Sequence, residues 1–476
     1  MRAARLARMS STPTPTPSLE GHLAESQAAR LASLEEFLRI PSISGIHEYA
    51  GDVRAAAGWL ADAMRSAGIE NVSIEETGGH PVVYGDWLHA DGGPTVLIYG
   101  HYDVQPVDPL DEWASPPFEP VIRDGRILGR GAADDKGQVH AHVMAAGAVL
   151  ATRGSLPINV RYLFEGEEES ASIHLHDWLV AHRDRVPADV AIISDSGFFD
   201  DNLPAITVGL RGLMYAQIDV TGSPGDLHSG SYGGAVQNPI NALAQIITAL
   251  KGPDGRIRIP GFYDAVVPLT DDERAEIAAL PFDDEAYRQT IGVPALVGEA
   301  GYPTLERRAT RPTLDVNGIW GGFQGEGTKT IIPARAHAKV SCRLVVDQDP
   351  DAIFAALRDF VADIAPPGVT VTVQDLGGGR ASRTSHDHPV AQAAARALEA
   401  TFGAAPLFIW EGGSIPVSAS FESVLGVPVV LLGFTQPNEN AHAPNEWLLL
   451  DNYEGAIRAI ARTFDEIASI RDGGAD

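Results

Sequence analysis

A single cysteine, Cys342, in a chain of 476 residues excludes an intrachain disulfide and any thiolate metal cluster. It fits a reducing compartment, and the expectation is a cytoplasmic protein. Positive charge is scarce: 35 Lys and Arg stand against 63 Asp and Glu, a formal net charge of −28. That balance argues against nucleic acid and against anionic membrane surfaces as partners. Long apolar runs are missing as well. The longest, around residues 427–434, contains Pro428 and Gly433 and falls far short of the ~18 residues that a membrane span needs. Residues 1–9 carry Arg2, Arg5 and Arg8 without the apolar core of a signal peptide, and alternating Thr and Pro follow. Residues 1–18 are therefore expected to be a disordered tail, with a transit peptide as the alternative.

What is present suits a large globular protein. Hydrophobic residues make up 44% of the chain, enough for a core, and the length suggests two or three domains. Residues 19–209 alternate helical periodicity with short strands of buried type. This pattern predicts an α/β domain, a mostly parallel sheet flanked by helices. From about residue 210 the strands alternate apolar and polar positions, and helices become few. An inserted, smaller α+β domain is expected over 210–380, with an antiparallel sheet and helices on one side. The first texture returns over 381–476, so the first domain is interrupted and then completed.

The chain is organised around Glu165-Gly166-Glu167-Glu168-Glu169-Ser170, which follows the predicted strand 158–164. Acidic residues also favour the first turn of a helix, so this run alone leaves two readings open. Four further places put metal-type ligands at strand ends, where ligands bind in open α/β sheets. The strand 95–99 runs into Gly100-His101-Tyr102-Asp103. Residues two apart on an extended segment face the same way, so Asp103 can orient the imidazole of His101 toward a metal. Gly129-Arg130-Gly131-Ala132-Ala133-Asp134-Asp135-Lys136-Gly137 fails as a dinucleotide fingerprint, because Asp134 stands where a third glycine is needed. Its Asp134 can bridge two cations or serve an ordinary Asx turn. Asp195 follows the apolar strand 190–194, and His442 follows the strand 427–432. Two imidazoles and three carboxylates without thiolate suit Zn²⁺, Mn²⁺ or Co²⁺. The pairs His140/His142 and His174/His176 lie two apart on predicted helices and read as surface or packing residues.

These motifs, His-x-Asp, Gly-Arg-Gly-Ala-x-Asp-x-Lys-Gly, Glu-Gly-x-Glu-Glu-Ser, Ser-Asp and a late His, resemble those of the co-catalytic zinc peptidases. The family includes carnosinase-type dipeptidases, carboxypeptidase G, acetylornithine deacetylase and succinyl-diaminopimelate desuccinylase. The resemblance spans about residues 40–470. Asp226-Leu227-His228-Ser229-Gly230, Lys329-Thr330-Ile331-Ile332-Pro333 and Glu411-Gly412-Gly413-Ser414-Ile415-Pro416 favour its dipeptidase branch. Trp410 departs from that branch, which usually has Arg there, and Gly377-Gly378-Gly379-Arg380 stands where many relatives place a His.

The resemblance implies two divalent metal ions, Zn²⁺ foremost with Mn²⁺ or Co²⁺ as alternatives. His101, Asp134 and Asp195 would hold one, and Glu169, Asp134 and His442 the other, with a cis peptide after the bridging Asp134. Glu168 would be the general base, with Asp103 also in the catalytic set. His228 would reach in from the partner of a homodimer formed through the inserted domain, as donor to the oxyanion. Arg343 could hold the substrate carboxylate as a fork, with Thr330, Asn238, Gly413 and Ser414 lining the pocket. Plainer readings stay open: Arg343 as a surface strand residue, His228 as the cap of a turn. The expected reaction is hydrolysis of dipeptides bearing a free C-terminal carboxylate. The alternative is an N-acyl-amino-acid amidohydrolase on the same centre.

Overall fold

The computed structural model describes residues 18–470. The expected tail and transit peptide lie outside the described residues, Ser18 apart. There Ser18 caps the Leu19–Leu38 helix, its Oγ accepting from the amide of Gly21. The chain divides into two compact units, Met1–Glu169 with Asn438–Asp476, and Ser170–Pro437.

In the first unit, strands lie in the order Glu70–Glu75, Val82–Trp87, Asn159–Glu165, Thr95–His101. The last two pair in parallel, from Thr95 opposite Asn159 to His101 opposite Glu165. Two strand ends that the sequence marks with metal-type ligands are thus brought side by side. The Lys136–Arg153 helix is rich in Ala, Val and Gly and is buried on nearly every face. It packs against the Leu19–Leu38 and Leu450–Ser469 helices. The hairpin Val121–Arg123/Arg126–Leu128 turns at Asp124 and Gly125, whose φ values of 51° and 73° are those of a type I′ turn. Trp447–Leu449 adds a third strand to it, just after the segment that carries His442.

The second unit holds strands in the order Val190–Ile193, Val429–Leu431, Ala205–Leu210, Ser382–Arg383, with Leu407–Glu411 parallel to Ala205–Leu210. Antiparallel neighbours accompany the parallel pairs in both units, so the sheet is mixed. A separate antiparallel sheet runs Thr313–Gly321, Arg335–Leu344, Gly212–Thr221, Thr370–Gly379. Residues of Gly212–Thr221 alternate buried and half-buried along its whole length. Helices Pro239–Leu250 and Pro350–Ile364 cover the buried face, packing Leu243, Ile246, Leu357 and Val361 against Ile218, Val340 and Cys342. Burying each such aliphatic side chain contributes about 1.5–3 kcal/mol, so packing rather than propensity holds these short helices in place.

The expectation of few helices in this region needs correction. Asp271–Ala279, Asp284–Thr290 and Thr304–Ala309 are helical. Only Ile277 of the first is buried and none of the second, so neither carries an apolar stripe that periodicity could detect. The strand Ala205–Leu210 was equally silent in the sequence, because burial of all six residues removes the alternation.

Candidate active site

The site is built from the loops that leave strands and helices of the first unit. Thr95–His101 ends at His101, which is wholly buried. Its Nδ1 lies 3.1 Å from the carbonyl oxygen of Asp103. A carbonyl only accepts, so Nδ1 carries the proton and Nε2 presents a lone pair. That Nε2 is buried without a hydrogen-bond partner and lies 3.0 Å from Asp134 Oδ1. On the other side of Asp134, Oδ2 is 2.9 Å from His442 Nε2, which is also 3.1 Å from Glu169 Oε2. Ligand atoms of Asp134, Glu169 and His442 all lie within 4.8 Å of one another, and Glu168 comes equally close to His101.

In its neutral tautomer His101 Nε2 would face the Asp134 carboxylate acceptor to acceptor, so a positive charge, from a proton or a cation, belongs between them. Hydrogen bonds to Asp134 and then Glu169 push the His442 imidazole up to about 10. Burial opposes the charging of His101, yet Asp103 and Asp134 hold its pKa well above the ordinary value. Burial likewise disfavours the Asp134 anion, but both imidazoles outweigh it and hold that carboxyl well below the carboxylate range. The same atoms fit a pair of divalent cations, with imidazole nitrogen and carboxylate oxygen as donors. Asp134 presents one oxygen to each side, as a bridging ligand would.

Other groups fix these ligands. Gln105 Nε2 donates to Glu169 Oε2 at 2.7 Å. Asp103, fully buried, accepts from the amides of Glu168 and Glu169. The Asp134–Asp135 peptide is cis, as the resemblance implies. Gly131 has φ 84°, and a Cβ on Gly137 would meet the Ala132 carbonyl oxygen at 2.1 Å, so this turn tolerates no side chain at either glycine. The sequence reading gave no role to Lys136 or Glu446. Lys136 is wholly buried and donates to the carbonyls of Phe37 and Ile40, tying the end of the first helix to the loop. Of the spare histidines, His140 and His142 are packed in the interior, while His176 meets Ser420 at the surface.

In the second unit, Asp195 stands two residues beyond Val190–Ile193 and is half-buried. His228 is exposed, and its Nδ1 accepts from Gly230 N at 3.0 Å. It does cap a turn, and doing so leaves Nε2 to carry the proton as an outward donor. His228 pairs with Ile331, next to Thr330, whose carbonyl accepts from Ser229 N and Oγ. Arg343 is half-buried on the open face of its sheet and donates to Ser414 Oγ at 2.8 Å. Ser414 in turn donates to the carbonyl of Arg211, whose amide donates to the carbonyl of Gly413. Asn238 Oδ1 accepts from Ile240 N at 2.9 Å, so its oxygen is committed to the helix cap.

An α/β scaffold whose strand ends collect imidazole nitrogens and carboxylate oxygens in this way fits a metal-dependent hydrolase. Residues 97–466 match Peptidase family M20/M25/M40, and the chain belongs to that family. It is a metallopeptidase-type hydrolase acting on peptide bonds. The chain is 34% identical over 412 residues to a Cys-Gly metallodipeptidase of Schizosaccharomyces pombe, covering 85% of this chain and 87% of that one. Human carnosine dipeptidase 1 superimposes with a TM-score of 0.82 at 30% identity, covering 96% and 100% of the two chains. An M20 family metallo-carboxypeptidase from Sulfolobus solfataricus gives 0.84 at 35% identity, covering 92% and 99%.

Proposed function

We propose that this protein hydrolyses the peptide bond of dipeptides with a free C-terminal carboxylate, using two divalent metal ions. The observation that carries this reading is His442 Nε2 facing both Asp134 and Glu169 while the buried Nε2 of His101 faces the other oxygen of Asp134. His101, Asp134 and Asp195 would hold one ion, and Glu169, Asp134 and His442 the other. Zn²⁺ leads, with Mn²⁺ or Co²⁺ as alternatives, since the donors are nitrogen and oxygen only. Bound there, the ions would lower the pKa of water toward about 7 and would polarise the scissile carbonyl.

The remaining work falls to side chains. Glu168 takes a proton from water and returns it to the leaving amine. Asp103 keeps His101 in one tautomer and fixes the backbone of the Glu168–Glu169 pair. His228 of a second copy supplies its Nε2–H to the oxyanion. Arg343, braced by Ser414, receives the substrate carboxylate, with Thr330, Asn238, Gly413 and Ser414 lining the pocket. The functional division is a catalytic domain over 19–209 and 381–476 and an inserted lid and dimerisation domain over 210–380. A homodimer through that domain is supported by its edge strand Thr313–Gly321, which exposes Ile319 and Trp320. A cytoplasmic setting is supported by the lone, buried, free Cys342. No helix among the described residues is long and apolar enough to cross a membrane.

The N-acyl-amino-acid amidohydrolase alternative is not favoured, because relatives at 30% identity or more include a Cys-Gly metallodipeptidase and a carnosine dipeptidase. A panel of dipeptides, N-acetyl amino acids and N-succinyl amino acids separates the two. We expect turnover of dipeptides, and preferential turnover of the acyl compounds would overturn the assignment.

A further inference from the structure

Glu446 is wholly buried, yet it lies in a loop and touches no proposed metal ligand through a ligand atom. All of its hydrogen-bonding capacity is spent on one neighbouring segment. Oε2 accepts from Arg130 Nη1 at 2.7 Å and from Gly131 N at 3.0 Å. Oε1 accepts from Ala133 N at 2.9 Å and from Asp134 N at 3.1 Å. Its own carbonyl accepts from Gly129 N at 2.9 Å. Successive amides converging on one anion form a nest that only a carboxylate fills. A carboxamide would turn its NH₂ toward at least one N–H donor, since every neighbour here donates.

The loop that carries Glu446 also carries His442, four residues earlier. His442 has φ 62°, as does Asn445, and Asn440 has φ 57°. Left-handed backbone at a residue with a Cβ costs about 1–2 kcal/mol, so this loop needs anchors to keep its shape. Asn445 supplies some, accepting from Ala114 N at 2.6 Å and donating to the Glu112 carbonyl at 2.8 Å. Glu446 supplies others, and its anchors reach directly to the amide of Asp134.

We infer that Glu446 is the positioning residue that clamps the Asp134 segment to the His442 segment, so that Asp134 and His442 meet at metal-sharing distance. It acts through the backbone of Asp134 and the chain leading from His442, never on substrate. The inference rests on the metal-centre reading above. A competing role is that Glu446 merely neutralises the buried Arg130 guanidinium. The two differ when both charges are removed: a neutralising role then becomes unnecessary, whereas a clamping role is still lost.

The test is calorimetric titration of metal-free protein with Co²⁺, for the wild type, Glu446→Gln, and the double variant Arg130→Met/Glu446→Gln. Far-UV circular dichroism of each metal-free protein checks the fold. Removing both members of a buried pair leaves no unpaired charge, so the double variant decides the matter if the single one does not fold. The wild type is expected to take up two ions. Loss of the outer partner of a ligand typically weakens metal by about 10–100-fold, and that loss is expected for at least one ion in both variants. Saturating Co²⁺ should then restore kcat, because the clamped groups and not Glu446 meet the substrate. A wild type that binds no ion would overturn the metal-centre reading itself. A wild type that binds two ions beside variants of unchanged affinity overturns this inference alone. So does a double variant that regains wild-type affinity, or a kcat that stays depressed with both sites filled.

Discussion

The carboxylate of Asp103 accepts the amide N–H of Glu169 at 3.1 Å, and its other oxygen accepts that of Glu168 at 3.2 Å. The same residue's carbonyl sets the tautomer of His101. One buried side chain therefore aligns the end of the Thr95–His101 strand with the acidic run that ends Asn159–Glu165. Replacing Asp103 by Ala should free the two amides and the acidic pair with them. We expect kcat/KM to fall by about 10–100-fold, the usual cost of losing an outer partner of a metal ligand. Steady-state kinetics at saturating metal checks this.

The adjacent glutamates should separate cleanly. Glu169 Oε2 lies 3.1 Å from His442 Nε2 in the cage, whereas Glu168 is assigned to proton transfer. Glu168→Gln is expected to abolish turnover while keeping two ions per chain, and Glu169→Gln to lose metal. Metal analysis of the purified variants distinguishes them. The reverse pattern would mean that the two roles are exchanged.

Arg30 and Glu454 form a buried ion pair at 2.5 Å between the first and last described helices. Cutting one partner leaves an uncompensated buried charge, so Glu454→Ala should lower stability by about 3–5 kcal/mol. The double change Arg30→Met/Glu454→Leu should recover most of that loss. Denaturant unfolding of the three variants provides the comparison.

Acid should destabilise this protein through two interior histidines. Burial pushes His140 and His142 down to about 3. In the unfolded chain they take up protons near the ordinary value of 6.5, while the folded chain stays neutral at both. The unfolded state then binds more protons, and stability is lost as pH falls from about 6.5 toward 3. His142→Leu should flatten part of that slope, measured as thermal midpoints across this window.

The sequence made legible what is local. The strand ends at His101 and after Phe164, the Asp124-Gly125 turn and the Asn238 cap are all read from neighbouring residues. The Glu446 clamp was hidden for a different reason. Its partners Arg130 and Asp134 lie 316 and 312 positions away in the chain, and an acid in a loop carries no signal of burial. At Asn238 the sequence reads both a cap and a place in the pocket; its Oδ1 accepts from Ile240 N, which leaves Nδ2 as the group that would face the pocket. The helices Asp271–Ala279 and Asp284–Thr290 escaped because they bury too little to imprint a period.

Peptide hydrolysis is expected to depend on metal held by Asp134, Glu169, His442 and their neighbours. The most direct measurement strips the protein with chelator, returns Zn²⁺, Mn²⁺ or Co²⁺ in steps, and follows dipeptide hydrolysis and bound metal on the same sample. Activity is expected to be absent without metal and to reach its plateau at two ions per chain. Full dipeptidase activity in protein shown to be metal-free would rule out metal-dependent hydrolysis at this centre.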